Sequence, residues 1–173
     1  MTPEDGGIDV FLQPGDLYFG DEDTKIRTVL GSCVSLTFWH PALRIGGMSH
    51  CLLPSSGKGS ASGVLDGRYV DEALPWLTRE IVAHGTRPGE YEIKLFGGAD
   101  MFPRSNLATD MGIGRKNVGH AVSILERMGM TITTKDVGGT VSRSLIFDLA
   151  SGDVWVRRGT AGEPPLQKLA VAA

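Results

Sequence analysis

The sequence predicts a layered α/β (α+β) domain in which two main helices pack on a mostly antiparallel sheet. Two observations support this fold class: short runs that alternate apolar and polar residues, and two longer stretches with apolar residues at helical spacing. In chain order they read β-β-α-β-α-β-β-β, which is typical of elements that pack in layers. A chain of 173 residues is long enough for one such domain with a sizeable core.

The first predicted strands are Cys33–Trp39 and Ile45–Leu53, and the alternation in the former places Val34, Leu36 and Phe38 on one buried face. A helix is predicted at Val70–Ala83, where the apolar spacing is helical and Gly85 is a suitable C′ residue. The later predicted elements are a strand at 91–95, a helix at 117–128, and strands at 131–136, 144–148 and 154–157.

The two ends of the chain differ in composition from the middle. Residues 1–13 contain proline, glycine and acidic residues, and residues 159–173 contain two prolines and an alanine-rich end. We therefore expect a flexible N-terminus over 1–13, a folded domain over 14–158 and a C-terminal tail over 159–173.

Charge and hydropathy exclude several classes of function. The formal net charge is −3, which argues against nucleic acid as a partner. The chain has no long apolar run, so membrane insertion is not expected. The acidic, polar start lacks the features of a secretory signal, which predicts a cytoplasmic location.

Only two cysteines, Cys33 and Cys51, are present. They form neither a disulfide framework nor the Cys-x-x-Cys spacing of a structural zinc site, so no metal site is predicted. Glycine is abundant, with 24 residues in clusters, which indicates tight turns and close backbone contacts.

The first hairpin contains a candidate for nucleophilic chemistry. A turn centred between Pro41 and Ala42 would place Cys33 directly opposite His50, with both side chains on one face of the sheet. An imidazole beside a thiol can accept its proton, and an imidazolium would lower the pKa of the cysteine. The flanking Gly31-Ser32 could leave backbone N–H groups free to bind an oxyanion.

Simpler interpretations of these residues stay open. A cysteine is often a small buried apolar residue, and a lone histidine is often structural. Cys51 follows His50 and is predicted to point to the opposite face, into the core. A disulfide between Cys33 and Cys51 would then be poorly oriented.

Five segments in order resemble the chemoreceptor glutamine deamidase family, CheD. Each motif alone is weakly specific, but together they span roughly residues 15–157. The segments are Thr28-Val-Leu-Gly-Ser-Cys-Val34; Gly46-Gly-Met-Ser-His50 with Leu52-Leu-Pro54; Lys94-Leu-Phe-Gly-Gly-Ala-Asp-Met-Phe102; Ile113-Gly-Arg-Lys-Asn-Val118; and Asp136-Val-Gly-Gly139 with Arg143-Ser144.

This resemblance implies a cysteine amidohydrolase that converts glutamine side chains on methyl-accepting chemotaxis receptors to glutamate and ammonia through a thioester. It implies a layered α/β fold similar to that of deamidating toxin domains, and no cofactor. The family's catalytic cysteine and histidine fall on Cys33 and His50. The family's catalytic threonine falls on Arg27, so the adjacent Thr28 is the candidate for the third member.

The resemblance also implies a possible partner, a CheC-type phosphatase. Two glycine pairs, together with Arg143, either line a substrate groove or form turns: Gly97-Gly98 and Gly138-Gly139. This chain departs from the family just before Arg143, because Val141-Ser142 stands where the family has a glycine next to the arginine. Three alternatives remain: a non-catalytic module that binds receptors or the phosphatase, a cysteine peptidase or amidase with another substrate, and a thiol redox sensor.

Overall fold

A computed structural model describes residues 6–57, 63–101 and 112–159, together with the backbone of 167–169. Within these ranges the chain forms ten strands, two α-helices and a short 3-10 helix at Pro88–Glu90. The strands are β1 Ile8–Phe11, β2 Leu17–Gly20, β3 Thr24–Leu30, β4 Val34–His40, β5 Ile45–Ser49, β6 Glu92–Gly97, β7 Ile132–Val137, β8 Arg143–Asp148, β9 Val154–Arg158 and β10 Gln167–Leu169; the helices are α1 Val70–Ala83 and α2 Ile113–Arg127.

The strands form two five-stranded sheets. The first has the order β1-β3-β8-β9-β10 and the second the order β2-β5-β4-β6-β7. Only the pairs β1–β3 and β6–β7 are parallel, and the other pairs in the two sheets are antiparallel. The predicted fold class, with mostly antiparallel strands and two main helices, is confirmed; the division into two sheets was not predicted.

Two apolar clusters define three layers. One cluster lies between the second sheet and the helices, where Val34, Leu36 and Phe38 of β4 pack with Leu74 and Leu125. The other cluster lies between the two sheets, and its main members are Ile26, Leu30, Met48, Phe96, Leu145 and Phe147. The second sheet is therefore buried on both faces, which makes it a rigid base for side chains at its ends.

Polar contacts also join the two sheets at the end of β4 that lies away from Cys33. The indole N–H of Trp39 donates a hydrogen bond to the carbonyl of Leu149 at 2.8 Å, and the buried Lys94 ammonium donates to the carbonyl of Gly152 at 3.0 Å. These bonds satisfy polar groups that would be costly to bury unpaired.

The predicted helix at Val70–Ala83 is observed with the same bounds, whereas α2 begins four residues before the predicted start at Asn117. The early start depends on Gly114, because a Cβ there would lie 2.4 Å from the carbonyl oxygen of Ala99. The predicted strand at Ile45–Leu53 is regular only to Ser49 and continues as single bridges at Cys51 and Leu53.

Four strands lie where none was predicted, and one of them is β2 at Leu17–Gly20. β3 precedes Cys33, while β1 and β10 fall in the segments expected to be a flexible N-terminus and a tail. β1 runs parallel to β3, and β10 pairs with β9. The apolar residues of β1 pair with a strand distant in sequence, which a local pattern does not show. Neither described helix is long and apolar enough to cross a membrane.

Candidate active site

Thr28, Cys33 and His50 come from three neighbouring elements at one end of the two sheets. Thr28 lies in β3 of the first sheet, Cys33 immediately precedes β4 of the second, and His50 immediately follows β5. Thr28 and His50 are almost completely buried, whereas Cys33 is partly accessible. Cys33 packs against the cluster between the sheets, and His50 reaches across to Thr28, so both point into this layer.

The predicted direct pairing of Cys33 with His50 is wrong by two residues. Thr37 pairs with Met48 and Val34 with Cys51, so the same register places Cys33 opposite Leu52 and His50 opposite Ser35. The turn occupies residues 41–44 because His40 remains in the strand and pairs with Ile45. A shift of two residues preserves the face.

Cys33 and His50 are therefore diagonal neighbours on one face. Such neighbours lie about 7–8 Å apart between Cα atoms, within reach of a long side chain. Among the described residues, no hydrogen bond joins the Cys33 thiol to the His50 ring. Catalytic hydrogen bonds are often long before substrate binds and shorten in the complex.

The hydrogen bonds of His50 fix which ring nitrogen carries the proton. The Thr28 hydroxyl donates to the Leu12 carbonyl at 2.9 Å, and its oxygen lies 2.7 Å from Nδ1 of His50. A hydroxyl has one hydrogen, and a carbonyl can only accept. The Thr28 oxygen must therefore accept from Nδ1–H, which leaves Nε2 of the neutral ring as a proton acceptor.

Burial favours the neutral forms of both Cys33 and His50. It raises the pKa of the Cys33 thiol, an effect that the residue's own backbone N–H partly offsets. It lowers the pKa of His50, although the Leu12 carbonyl and the charge of Asp16 act in the opposite direction. The expectation of a lowered Cys33 pKa is therefore wrong, because desolvation outweighs any stabilisation of the thiolate.

The loop before β4 is held through its carbonyl groups. The N–H of Ala99 donates to Gly31, the amide of Asn117 to Ser32 and the N–H of Gly98 to Cys33, at 3.0, 3.1 and 2.9 Å. These bonds do not use the N–H groups of the loop. The oxyanion role of Gly31 and Ser32 stays a prediction.

Three of the five predicted groove residues line one cavity. Gly98, Gly138 and Gly139 contribute to a cavity of about 410 Å³ beside the start of α2. Gly97 instead lies against the loop: a Cβ there would be 2.2 Å from the Cys33 carbonyl oxygen, and its φ of +102° also favours glycine. The role of this cavity in binding substrate stays a prediction.

Arg143 is buried and does not line that cavity. Its Nε lies 3.1 Å from Oδ1 of Asp136, whose other oxygen pairs with Arg158. Since Arg143 opens β8 opposite Leu30, this ion pair supports the end of β3 that leads into the Cys33 loop. The structure therefore places Arg143 beneath the site rather than in an open groove.

Cys51 lies on the opposite face from Cys33, as expected. It packs in the cluster between the second sheet and the helices, and complete burial raises the pKa of its thiol to about 12. Both cysteines are free. This arrangement disfavours a redox switch that joins the two sulfur atoms.

Two functional contacts were not predicted from the sequence. Leu12 acts through its backbone carbonyl, which no side-chain pattern can indicate. Asn117 was noted only within a motif, yet its amide contacts the Cys33 loop. A period-two alternation of Thr24, Ile26 and Thr28 could have indicated the strand that carries Thr28.

Comparisons with known proteins identify the family of this chain. A family described as "CheD chemotactic sensory transduction" matches residues 52–158. The chain is 46% identical over 158 residues to "Probable chemoreceptor glutamine deamidase CheD" of Pseudomonas syringae pv. syringae (strain B728a), covering 91% of this chain and 88% of that protein.

Similar relatives occur in other bacteria. "Probable chemoreceptor glutamine deamidase CheD 3" of Dechloromonas aromatica (strain RCB) is 45% identical, and the match covers 86% of each chain. A protein of Maridesulfovibrio salexigens named "Probable chemoreceptor glutamine deamidase CheD" is 40% identical over 86% of this chain and 91% of its own length. The resemblance seen in the motifs is confirmed, and the chain belongs to the CheD family.

Proposed function

We propose that the protein is a cysteine amidohydrolase that deamidates glutamine side chains on methyl-accepting chemotaxis receptors. The observation that supports this most strongly is the chain of hydrogen bonds from His50 through Thr28 to Leu12, because it makes Nε2 a base on the face shared with Cys33. The names of the relatives supply the substrate class.

The first half of the reaction forms a thioester. As the sulfur of Cys33 bonds to the carboxamide carbon, its proton passes to Nε2 of His50. The N–H groups of Ser32 and Cys33 stabilise the oxyanion of the tetrahedral intermediate. The carbon–nitrogen bond then breaks, and His50 returns the proton to the leaving nitrogen, which departs as ammonia.

The second half of the reaction hydrolyses the thioester. His50 removes a proton from water as the oxygen bonds to the thioester carbon. The carbon–sulfur bond then breaks, His50 returns the proton to Cys33, and glutamate is released. In both halves, Thr28 keeps Nδ1 protonated and the ring oriented, which is the task of the third member of a triad.

Receptor-dependent ammonia release tests this function. The purified protein is incubated with the cytoplasmic fragment of a chemotaxis receptor and with a glutamine-free version of the same fragment. Ammonia should appear only with the former. A receptor fragment that binds without yielding ammonia would instead favour the non-catalytic binding module. Partnership with a CheC-type phosphatase and a cytoplasmic location stay predictions.

Replacing Thr28 by valine should lower kcat while leaving the fold intact. The valine methyl fills the space of the hydroxyl, but it can neither accept the Nδ1 proton nor donate to Leu12. Partners that orient a histidine typically contribute about 10- to 100-fold, and we expect a loss of that size. Thr28→Ser retains the hydroxyl and serves as the control; equal losses in both variants would contradict the role.

On the acid side of the pH profile, activity should fall only at a pH below the ordinary pKa of histidine. His50 accepts a proton only when neutral, and burial lowers its pKa below the ordinary value of about 6.5, so activity persists below that pH and falls as the ring becomes protonated. Asp16→Asn removes a charge that raises this pKa, so the midpoint of kcat/KM should move lower still. A midpoint above that of an ordinary histidine would contradict this assignment.

A further inference from the structure

The amide of Asn117 connects the two chain segments that carry the reactive pair. Asn117 lies in the first turns of α2 and is completely buried. Its Nδ2 donates hydrogen bonds to the carbonyl of Ser32 at 3.1 Å and to the carbonyl of Leu52 at 2.9 Å. One side chain therefore joins the residue before Cys33 to a residue two positions after His50.

This connection lies where the ladder between β4 and β5 has ended. The regular pairing reaches Thr37 and Met48, and beyond it the described contacts between the segments are the bond from the Leu36 N–H to Oγ of Ser49 at 3.1 Å and the bridge between Val34 and Cys51. Cys33 and His50 lie at this frayed end. Between these two segments the bridge is reinforced by the two hydrogen bonds of Asn117, while Gly98 holds the Cys33 carbonyl and Gly15 and Asp16 hold the His50 backbone from either side.

The sequence places Asn117 there through close packing of α2. Gly114 allows the helix to approach the carbonyls of Gly98 and Ala99, since a Cβ would lie 2.5 and 2.4 Å from their oxygens. Asn117 follows three residues later, about one helical turn, and so lies on the same face. The glycine brings the helix to the loop, and the asparagine makes the polar contact.

Protein stability alone does not explain why an asparagine is buried at position 117. Its Oδ1 is buried and has no hydrogen-bond partner among the described residues. A buried, unsatisfied carbonyl oxygen costs free energy, and such groups in native structures often have a functional explanation. Here the functional explanation is that the two donated bonds join the segments that carry Cys33 and His50.

We propose that Asn117 is a positioning residue that sets the distance between the Cys33 thiol and the His50 ring. Its hydrogen bonds go to backbone carbonyls, and it acts through the backbone of the two segments. The inference rests on the proposed deamidase function for its catalytic consequence. Its structural consequence, a closed end of the β4–β5 hairpin, can be measured without any substrate.

The test compares Asn117→Leu and Asn117→Ser with a matched control, Thr86→Val. Thr86 is also buried and also makes two hydrogen bonds, to the carbonyl of Ile81 and to the hydroxyl of Tyr91. Tyr91 adjoins Glu92, which pairs with Trp39, about 17 Å along β4 from Val34. The control thus loses comparable bonds at the far end of the sheet.

Two readouts are measured at a temperature at which every variant is folded. Hydrogen exchange follows the amides of Val34 and Cys51, each of which donates to the other's carbonyl. They should exchange at least about tenfold faster in the Asn117 variants but not in Thr86→Val. The kcat for ammonia release should fall about 100-fold, with KM within about threefold, because displaced reactive groups lower the rate of chemistry.

If Asn117→Leu does not fold, both readouts are taken from Asn117→Ser. Bridge amides that exchange as in the wild type would overturn the positioning role, as would a kcat within about threefold of the wild type or an equal loss in Thr86→Val. If the wild type releases no ammonia, the proposed function fails, while the exchange of Val34 and Cys51 still decides whether Asn117 closes the hairpin.

Discussion

Replacing Cys33 by alanine should abolish ammonia release from a receptor fragment. The side chain is small and only partly buried, so its loss leaves the sheets and their core unchanged. Without sulfur no thioester forms, and the loss of a nucleophile lowers kcat by about 10⁴-fold or more in enzymes of this type. Steady-state ammonia assays and circular dichroism of the variant check both statements.

Cys51→Ala is the matched control for this experiment. Cys51 lies in the helix-side cluster and is completely buried, so the substitution creates a small cavity and lowers the free energy of unfolding. Ammonia release per folded molecule should stay at the wild-type level. Full activity in Cys33→Ala, or equal losses in the two variants, would remove Cys33 from the mechanism.

Replacing His50 by glutamine should give the second largest loss. Glutamine can still donate a hydrogen bond toward Thr28, but its amide cannot accept a proton from the Cys33 thiol. Because burial raises the pKa of that thiol above the ordinary value of about 8.5, almost none is ionised at neutral pH without a base. We expect kcat to fall by about 10²- to 10⁴-fold, the usual contribution of a general base.

The pH dependence of this variant gives a sharper check than its residual rate. With the base removed, activity should depend on direct ionisation of Cys33 and should rise steadily with pH beyond the wild-type plateau. His40→Gln is the control, because His40 pairs with Glu90 beside the turn and contacts Tyr91 rather than the site. A His50→Gln variant with the wild-type pH profile would refute the role of His50 as the base.

The sequence predicted the shared face of Cys33 and His50 better than their pairing. Alternation in β4 assigned Val34, Leu36 and Phe38 to the core and left Cys33 on the other face, as observed. The cross-strand pairing failed because it depended on the turn, which holds four residues and contains Arg44 at φ +54°. The prediction that both side chains share one face is still correct, because a shift of two positions does not change side-chain direction.

The parts of the site that sequence patterns missed depend on contacts between distant segments. Thr28 was a candidate only through the family resemblance, because it reaches His50 across two separate sheets whose pairing is not encoded in any local run. Leu12 contributes a carbonyl, and the position of Asn117 depends on how closely α2 approaches the loop. Burial likewise reversed the predicted shift in the pKa of Cys33, since desolvation depends on the whole fold.

Residue-level mass spectrometry of a receptor fragment tests the central claim most directly. After incubation with the wild-type protein, selected glutamine side chains should show the mass increase of an amide converted to an acid, with every backbone bond of the receptor intact. The same fragment should stay unchanged with Cys33→Ala. An unmodified fragment after incubation with folded wild-type protein, or cleavage of its backbone, would contradict the assignment of Cys33 and His50 to side-chain deamidation.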